Sequence, residues 1–214
     1  MLVRQKRLRT LAITLCTGLA LVLAAPAARA EGSRLLTPSE RDALLSGERV
    51  ERPLAFQTQR GRYVGGVSYQ LVRAQPEEVL SALQSVGSLP EVLPRTNEAR
   101  LVGIDQGRAR IELTQGPAPF TATYTILLER AHGANELRFW LDPRAPRDIR
   151  DVWGYFRAEP HGSDRTLVTV AVAVDLGPGL VQSLFEGKVQ RLALSAVTQI
   201  RDFVEPRRLA EVDR

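Results

Sequence analysis

The sequence predicts an α+β fold: a curved antiparallel sheet of about seven strands wrapped around one long C-terminal helix, with two short helices after the first strand. Three observations predict it. A valine-rich strand, 166–174, leads through a Gly-Pro-Gly turn into apolar residues at three- and four-residue steps, the spacing of one helix face. Residues 76–94 carry two short helical patterns after a first strand. The segments between them alternate between apolar and polar residues, as half-buried antiparallel strands do.

The first 30 residues have the composition of a signal peptide. Three arginines and one lysine lie within residues 4–9, an apolar run covers 11–25, and Ala28-Arg-Ala30 offers small residues to a signal peptidase. The apolar run is shorter than the roughly 20 residues of a membrane-spanning helix. Leu15 before Cys16 does not fit a lipoprotein site. We therefore expect Sec-type export, cleavage after Ala30 and a periplasmic or secreted protein.

The net positive charge of the chain lies on this N-terminal segment. Residues 1–30 hold five basic residues and no acidic one, and the whole chain holds 29 basic and 24 acidic residues. The remainder therefore has 24 of each sign and a formal net charge of zero. Because no basic excess remains to attract phosphates, we expect no nucleic-acid partner.

Residues 31–214 contain no cysteine and no methionine. This composition excludes a disulfide scaffold, a thiol enzyme, a thiolate metal site and an iron–sulfur protein. The length fits one domain with a short extension. We divide the chain into a signal peptide, an N-terminal extension with one short helix, a folded domain and a C-terminal tail: 1–30, 31–61, 62–206 and 207–214.

The N-terminal extension begins with a helix signal. Thr37-Pro-Ser-Glu40 is a capping box with proline at the first helical position, and it predicts a short helix through Leu45 that Gly47 ends. Residues 48–61 are predicted to be irregular or weakly extended. We expect this extension to cover a sheet edge; the alternative is a functional lid.

The folded domain begins with a strand and two helices. Val67, Tyr69 and Leu71 alternate with polar residues, and Gly65-Gly66 predicts a bulge or a bend. Gln75-Pro-Glu-Glu78 starts a helix with proline and acids in its first turn, which the helix dipole favours. That helix ends near Val86, and a second one covers 89–94.

Six strands and the long helix complete the domain. The strands are predicted at 99–104, 108–114, 120–129, 136–142, 152–158 and 166–174. In the fifth of these, the inward side chain is either Phe156 or the pair Trp153 and Tyr155. Pro206 is predicted to end the helix. Gly187 inside it indicates close approach to the sheet or space for a ligand.

Several segments have the form of a known family's motifs. The strand Gly66-Val-Ser-Tyr-Gln-Leu-Val72 precedes Ala74-Gln-Pro-Glu-Glu-Val-Leu-Ser-Ala-Leu83 and Gly87-Ser-Leu-Pro-Glu-Val-Leu-Pro94, and Trp153-Gly-Tyr-Phe-Arg-Ala-Glu-Pro160 precedes Thr166-Leu-Val-Thr-Val170. In these motifs and in element order, residues 62–205 resemble the START-like superfamily of helix-grip proteins, especially its polyketide cyclase/dehydrase and coenzyme Q-binding branches. Those proteins differ widely in function, so the resemblance points to a fold more than to an activity.

The resemblance implies an apolar cavity between the concave face of the sheet and the C-terminal helix. The side chains expected to line it are Tyr69, Leu71, Ile111, Leu113, Phe120, Tyr124, Phe139, Phe156, Val170, Phe185 and Val189. Ordinary core packing is the alternative for each of them. The hydroxyl groups of Tyr69 and Tyr124 either orient a ligand carbonyl or bond to a backbone group.

A charged loop lies between two of the predicted strands. Residues 142–151 alternate arginine and aspartate, and Arg144, Arg147, Asp148 and Asp151 are candidates for the cavity mouth. Arginines there would grip a carboxylate or phosphate group. The alternatives are a solvated loop of exposed ion pairs and a general base, Asp148 or Asp151, for cyclisation or dehydration.

No strong catalytic motif is present in the sequence. It contains no Gly-x-Ser-x-Gly elbow, phosphate-binding glycine loop or His-Glu-x-x-His helix, and His132 and His161 fall in predicted turns. We expect no catalytic residue, no metal site and no cofactor. The predicted function is a binding module for a lipid or another hydrophobic small molecule, without chemistry and without stable membrane insertion of the exported chain. The alternatives are a cyclase/dehydrase-type enzyme using the same cavity and a partner-binding module with a filled core.

Overall fold

Eight antiparallel strands form one curved sheet in the computed structural model, which describes residues 36–212 apart from residues 60, 119–120, 134 and 179. The predicted signal peptide and Phe120 lie outside the described residues. The strands are β1 Val50–Gln57, β2 Arg62–Val72, β3 Thr96–Asp105, β4 Arg108–Gln115, β5 Ala122–Arg130, β6 Glu136–Leu141, β7 Asp151–His161 and β8 Arg165–Asp175. The helices are α1 Pro38–Leu45, α2 Pro76–Gln84, α3 Leu89–Val92, α4 Leu180–Leu194 and α5 Ala196–Val212, with a 3₁₀ turn at Val86–Ser88.

The sheet has the order β1-β2-β8-β7-β6-β5-β4-β3, so every strand from β3 to β8 pairs with its neighbour in the chain. The last strand, β8, then pairs with β2. The two short helices after β2 carry the chain to the far edge of the sheet. The α+β prediction, with a curved antiparallel sheet and a C-terminal helix, is therefore confirmed.

The sheet contains one strand more than predicted. Residues 48–61 were expected to be irregular or weakly extended, but Val50–Gln57 forms β1 and pairs with β2 from Val50↔Tyr69 to Gln57↔Arg62. Its sequence hides the strand because Pro53 interrupts it and most of its residues are polar or exposed. Proline is tolerated there because β1 is an edge strand with a free side.

The glycine pair in β2 adds no bulge. Gly65 and Gly66 have φ angles of 153° and 141°, and the register with β1 and β8 continues through them without a shift. A Cβ at Gly65 would lie 2.0 Å from the carbonyl oxygen of Val172, and one at Gly66 would lie 2.2 Å from that of Arg52. Only glycine fits at both positions.

The main core lies on the concave face, between the sheet and helices α2, α3 and α5. Its fully buried side chains come from both layers: Val72, Leu137, Ala158 and Val168 from the strands, Val79 and Leu80 from α2, and Val197 and Ile200 from α5. The helix starts agree with their signals. Thr37 and Glu40 form the predicted capping box at α1, and Pro76 occupies the first turn of α2.

A second apolar cluster covers the convex face of the sheet. It consists of Leu36, Leu44, Val50, Tyr69, Leu71 and Leu167. Helix α1 therefore lies over the outside of β2, and the charged pair Arg52–Glu40, with 2.6 Å between Nη2 and Oε2, fixes it to β1. Within the extension, α1 packs on the convex face, whereas β1 joins the edge of the sheet and contacts the C-terminal helices through the carbonyl of Leu54, which accepts from Gln190.

The C-terminal helical segment differs from the prediction in two ways. It is bent at Ser195, whose hydroxyl donates to the carbonyl of Leu192, and continues beyond the bend as the helical segment α5. The prediction that Pro206 ends it is wrong, because α5 continues to Val212. A proline inside a helix leaves the carbonyl four residues earlier, here Asp202, without its N–H donor. Asp202 and Pro206 are both exposed, so water can reach that carbonyl. No helix within the described ranges is long and apolar enough to span a membrane.

Candidate functional site

The candidate site is a row of residues across the concave face, under helix α4. Gly66 of β2 pairs with Val172 of β8, Val172 pairs with Gly154 of β7, and Gly154 pairs with Phe139 of β6. Because directly opposite residues in antiparallel strands point to the same face, this row carries only two side chains at four positions. The side chains in this row are those of Val172 and Phe139.

The aromatic side of this row depends on Gly154. A Cβ at Gly154 would lie 2.1 Å from the carbonyl oxygen of Ala171 and 2.7 Å from Cζ of Phe139. The ring of Phe139 therefore lies against the backbone of β7, and its centroid is 5.1 Å from that of Phe156. This contact places Phe156 inward, and Trp153 is on the convex face.

Burial differs between the two ends of the concave face. Under α5 the inward side chains are buried, whereas in β8 under α4, and just after it, three apolar side chains are only partly buried: Val172, Val174 and Leu176. Helix α4 lies over β2 and β8, held by ion pair Arg62–Glu186 at 2.8 Å and by Gln190, whose amide donates to the carbonyl of Gly65 at 3.0 Å. The α4 end therefore keeps apolar surface that the described residues do not cover completely.

Tyr124 supplies a buried polar group on the concave face. Its hydroxyl donates to Oε1 of Gln115, and the amide of Gln115 donates to Oγ1 of Thr96 at 2.7 Å. Burial raises the pKa of Tyr124 far above its ordinary value, so the phenol stays neutral. Because its proton is engaged by Gln115, the hydroxyl oxygen is left as a hydrogen-bond acceptor.

Gln115 and Thr96 are parts of this network that the sequence analysis missed. The signal for Gln115 was present, because it follows Ile111 and Leu113 at alternate positions of β4 and therefore shares their inward face. Thr96 is the register partner of Gln115 at the start of β3. No pattern in the sequence alone assigns that partner.

The polar side of β2 faces inward, contrary to expectation. Ser68 and Gln70 are fully buried, Gln70 donates to the carbonyl of Gly47 at 3.1 Å, and the Ser68 hydroxyl has no hydrogen-bond partner among the described residues. The prediction that Tyr69 and Leu71 line the concave face is wrong, because both belong to the convex cluster under α1. Their apolar character matches the helix on the outside, which sequence alternation cannot distinguish from the core.

The other predicted lining residues divide into three groups. The structure brings together in the main core Ile111, Leu113, Tyr124, Phe139, Phe156 and Val170. Phe185 and Val189 on α4 are partly buried. Phe120 lies outside the described residues. Gly187 is exposed, and among the described residues the atom near a Cβ built there is Nη1 of Arg191 at 3.6 Å, so close approach to the sheet does not explain this glycine.

The charged loop before β7 is bonded within the protein. Asp142 is buried; burial raises its pKa, but hydrogen bonds from the backbone N–H of Arg144 and from Arg110 outweigh it, and the pKa is lowered. The Arg110–Asp142 distance is 2.8 Å, and Arg144 also reaches Asp105 at 2.5 Å. These ion pairs connect the loop to β4 and to the end of β3.

The other three residues of the predicted cavity mouth also have partners. Arg147 donates to the carbonyl of Pro143 at 2.9 Å, and Asp148 accepts from the backbone N–H of Thr123 at 2.8 Å. Asp151 accepts from the hydroxyl of Tyr63 at 2.6 Å, and both side chains lie on the convex face. None of these bonds directs a carboxylate or guanidinium at the concave row. In the part of the chain that the structure describes, no three His, Cys, Asp or Glu side chains are grouped to hold a metal ion.

Comparisons with known proteins identify the fold. No protein-family model and no curated protein matches the sequence. A solved structure from Thermus thermophilus is 20% identical with a TM-score of 0.57, over 68% of this chain and 97% of that one. The Zhui aromatase/cyclase of a Streptomyces species is 14% identical with a TM-score of 0.55, over 76% and 96%. A STAR-related lipid transfer protein from Xanthomonas axonopodis is 14% identical with a TM-score of 0.54, over 72% and 98%. The chain has the START-like helix-grip fold.

Proposed function

We propose that this protein binds a lipid or another hydrophobic small molecule on the concave face under α4 and does not transform it. The observation that supports this most is the row Gly66–Val172–Gly154–Phe139, where two of four positions carry no side chain. The neighbouring inward apolar side chains are only partly buried. Similarity in fold to a lipid transfer protein is consistent with the same function.

Binding would work by burial of apolar surface, with one polar group to set orientation. Each Å² of apolar surface removed from water contributes roughly 25 cal/mol, so a ligand covering the row gains most of its affinity there. Tyr124 would accept a hydrogen bond from a ligand hydroxyl or N–H, since its own proton goes to Gln115. We therefore propose a ligand with an apolar body and one donor group.

The enzymatic alternative keeps the same cavity. It is motivated by similarity in fold to an aromatase/cyclase. The two candidate general bases already accept hydrogen bonds: Asp148 from the backbone N–H of Thr123 and Asp151 from the hydroxyl of Tyr63. These bonds do not favour a role for either carboxylate as a general base. Turnover of a polyketide-like substrate that Tyr124→Phe or Asp148→Asn abolishes would establish the enzyme and overturn the carrier.

The proposed location is the periplasm or the exterior of the cell. The basic start, the apolar run and the small residues before Glu31 support it. A hydrophobic ligand in an aqueous compartment needs a carrier because its apolar surface is poorly solvated. Location and proposed function are therefore compatible.

Uptake of a neutral apolar probe tests the proposal. We expect N-phenyl-1-naphthylamine to bind with a stoichiometry near one and with enhanced fluorescence. Val172→Trp places a large side chain between the two glycines of the row and should abolish uptake. Gln84→Trp, at an exposed position of α2, adds the same side chain elsewhere and should leave uptake unchanged. Equal uptake by both variants, each with a wild-type circular dichroism spectrum, would contradict a site at this row.

A further inference from the structure

The convex face of the sheet repeatedly pairs an arginine with an aromatic ring. In three pairs, a guanidinium carbon lies 5.0–5.5 Å from the centroid of the ring: Arg52 over Tyr69, Arg157 over Tyr155 and Arg108 over Trp140. Guanidinium groups at this distance are attracted by the electron-rich face of the ring. Three aromatic rings of this face therefore make a cation–π contact with an arginine.

Trp153 is on the same face without such a partner. It pairs across β6 and β7 with Trp140, and its side chain is 45% exposed. Among the described residues, no arginine or lysine lies over its ring. Its aromatic contact is with Tyr63, edge to face, with 6.4 Å between ring centroids.

A pocket opens beside Trp153. It has a volume of about 390 Å³ and is lined by Phe56, Thr58, Gln59, Tyr63 and Trp153. Trp153 pairs with Ala173, and Ala173 pairs with Gly65, so small residues occupy the adjoining positions of the convex face. Phe56 stacks on Tyr63 with 5.2 Å between ring centroids, which makes one wall aromatic. Such a volume is at the small end of the roughly 300–1,000 Å³ typical of ligand sites.

Two carboxylates lie side by side on the convex face, and one of them, Asp151, accepts a hydrogen bond from Tyr63 of the pocket lining. Asp151 and Asp175 are direct partners across β7 and β8, and Asp151 is two residues from Trp153 on the same face. Asp175 is 2% exposed, and its Oδ2 has no hydrogen bond among the described residues. The cation described nearest to it is Arg150, whose Nε lies 3.8 Å from that oxygen. Directly opposed like charges repel, so one arginine leaves a negative excess.

We propose that this pocket binds an organic cation carrying a guanidinium group, seated on the ring of Trp153 with its N–H donors directed at Asp151. The planar guanidinium stacks on aromatic rings and donates in a fixed fork to carboxylates. The site lies on the convex face and is separate from the concave row, so it does not depend on the proposed function. The group belongs either to a free small molecule or to an arginine of another protein.

Indole N–H signals in a ¹H–¹⁵N spectrum of the full exported chain report on the site directly. The described residues contain two tryptophans, and Trp140, which Arg108 already covers, is an internal reference. We expect ethylguanidinium at constant ionic strength to shift the Trp153 signal saturably and to leave the Trp140 signal in place. Ethylurea, the uncharged analogue, should shift neither. Equal shifts by both compounds would overturn the proposal.

Matched charge variants test the role of the carboxylate. Asp151→Asn keeps a hydrogen-bond acceptor for Tyr63. It should weaken the binding of ethylguanidinium about threefold, which is the effect expected for the loss of an exposed ion pair. Glu98→Gln removes one charge on the exposed edge strand β3 and should leave the affinity unchanged. Unchanged affinity in Asp151→Asn, with both variants unfolding at the same urea concentration, would overturn the proposal. In Trp153→Leu, added ethylguanidinium should no longer shift the backbone amide signals of Tyr63 and Ala173.

Two further experiments identify the source of the guanidinium group. A capped Gly-Arg-Gly peptide that binds more tightly than ethylguanidinium would indicate an arginine of a partner protein, and equal affinity would indicate a free small molecule. Arg60 follows Gln59 in the sequence and lies outside the described residues. If ethylguanidinium binds only to the Arg60→Gln variant, the pocket holds an arginine of its own chain, which would overturn the proposal of an external ligand.

Discussion

Phe139 lies directly against Gly154: a methyl group at that glycine would come within 2.7 Å of Cζ of the phenylalanine ring. The ring occupies the space that a side chain on β7 would otherwise fill. Its other neighbour is Phe156, so this part of the concave face is aromatic. The shape of the proposed site therefore depends on one residue without a side chain.

Gly154→Ala should destabilise the protein. The new methyl group would meet the carbonyl oxygen of Ala171 as well as Phe139, so both a strand and a core ring must shift. Overpacking of this kind costs about 1–3 kcal/mol. Urea unfolding followed by circular dichroism measures it as a lower midpoint.

Gly187→Ala is the matched control. Gly187 is exposed on α4, and a Cβ there meets only the flexible end of Arg191. Because alanine is favoured over glycine inside a helix by roughly 1 kcal/mol, this variant should be as stable as the wild type or more so. If both alanine variants lost the same stability, the argument from Gly154 would fail.

Tyr124→Phe should make the protein less sensitive to alkaline pH. Burial raises the pKa of Tyr124 in the folded state, whereas an exposed tyrosine titrates near 10. The stability that the neutral phenol contributes is complete below about pH 10 and is lost as the pH rises towards the folded pKa. Removal of the hydroxyl also costs about 1 kcal/mol at neutral pH, because the bond to Gln115 is lost. Urea midpoints at pH 7 and pH 10.5 measure both effects.

If the wild type and Tyr124→Phe lost the same stability between pH 7 and pH 10.5, Tyr124 would not be the source of the alkaline sensitivity. Tyr69, whose pKa burial also raises, remains in the variant. Some loss of stability at alkaline pH should therefore remain in the variant.

Glu40→Gln should reduce the loss of stability in acid. The hydrogen bond from Arg52 and that from the backbone of Thr37 lower the pKa of Glu40 to about 2. An unpaired glutamate titrates near 4.3, so the stabilisation is present above that pH and is lost as the pH falls towards 2. The fall in Tm between pH 5 and pH 2.5 should be smaller in the variant. Glu48→Gln, an exposed residue of the same segment, should behave as the wild type, and an identical pH profile for all three proteins would refute the role of Glu40.

The chain expressed in full in a secreting host should lose residues 1–30. The expected product begins at Glu31, because small residues precede the cleavage position. Intact-mass measurement of the periplasmic fraction tests this. A product that keeps the first 30 residues and stays with the membrane would contradict export by cleavage.

Most of the domain followed from local patterns. The capping box at Thr37, the proline start of α2 and the alternation in β4, β5 and β8 each depend on neighbours in the chain, and each element is where it was predicted. Gln115 could have been found by the same alternation. Local signals were sufficient because each of these elements buries one regular face.

The errors arose where a distant segment decides the outcome. Tyr69 and Leu71 have the pattern of a core face, but α1 covers them from outside, and the polar face with Ser68 turns inward. β1 is a strand only because β2 offers it a free edge, since its own sequence contains Pro53 and few apolar residues. The sequence around Ser195 contains no glycine or proline that would predict a change in the helix there; the hydroxyl of Ser195 bonds to the carbonyl of Leu192, a contact that only the structure shows.

The central claim is that the concave face under α4 holds a hydrophobic molecule. Gentle purification from a secreting host, native mass spectrometry and identification of the extracted compound test it most directly. The account predicts one defined apolar molecule per chain in the wild type and in Gln84→Trp, and none in Val172→Trp. A bare wild-type protein that also fails to take up apolar probes would contradict it.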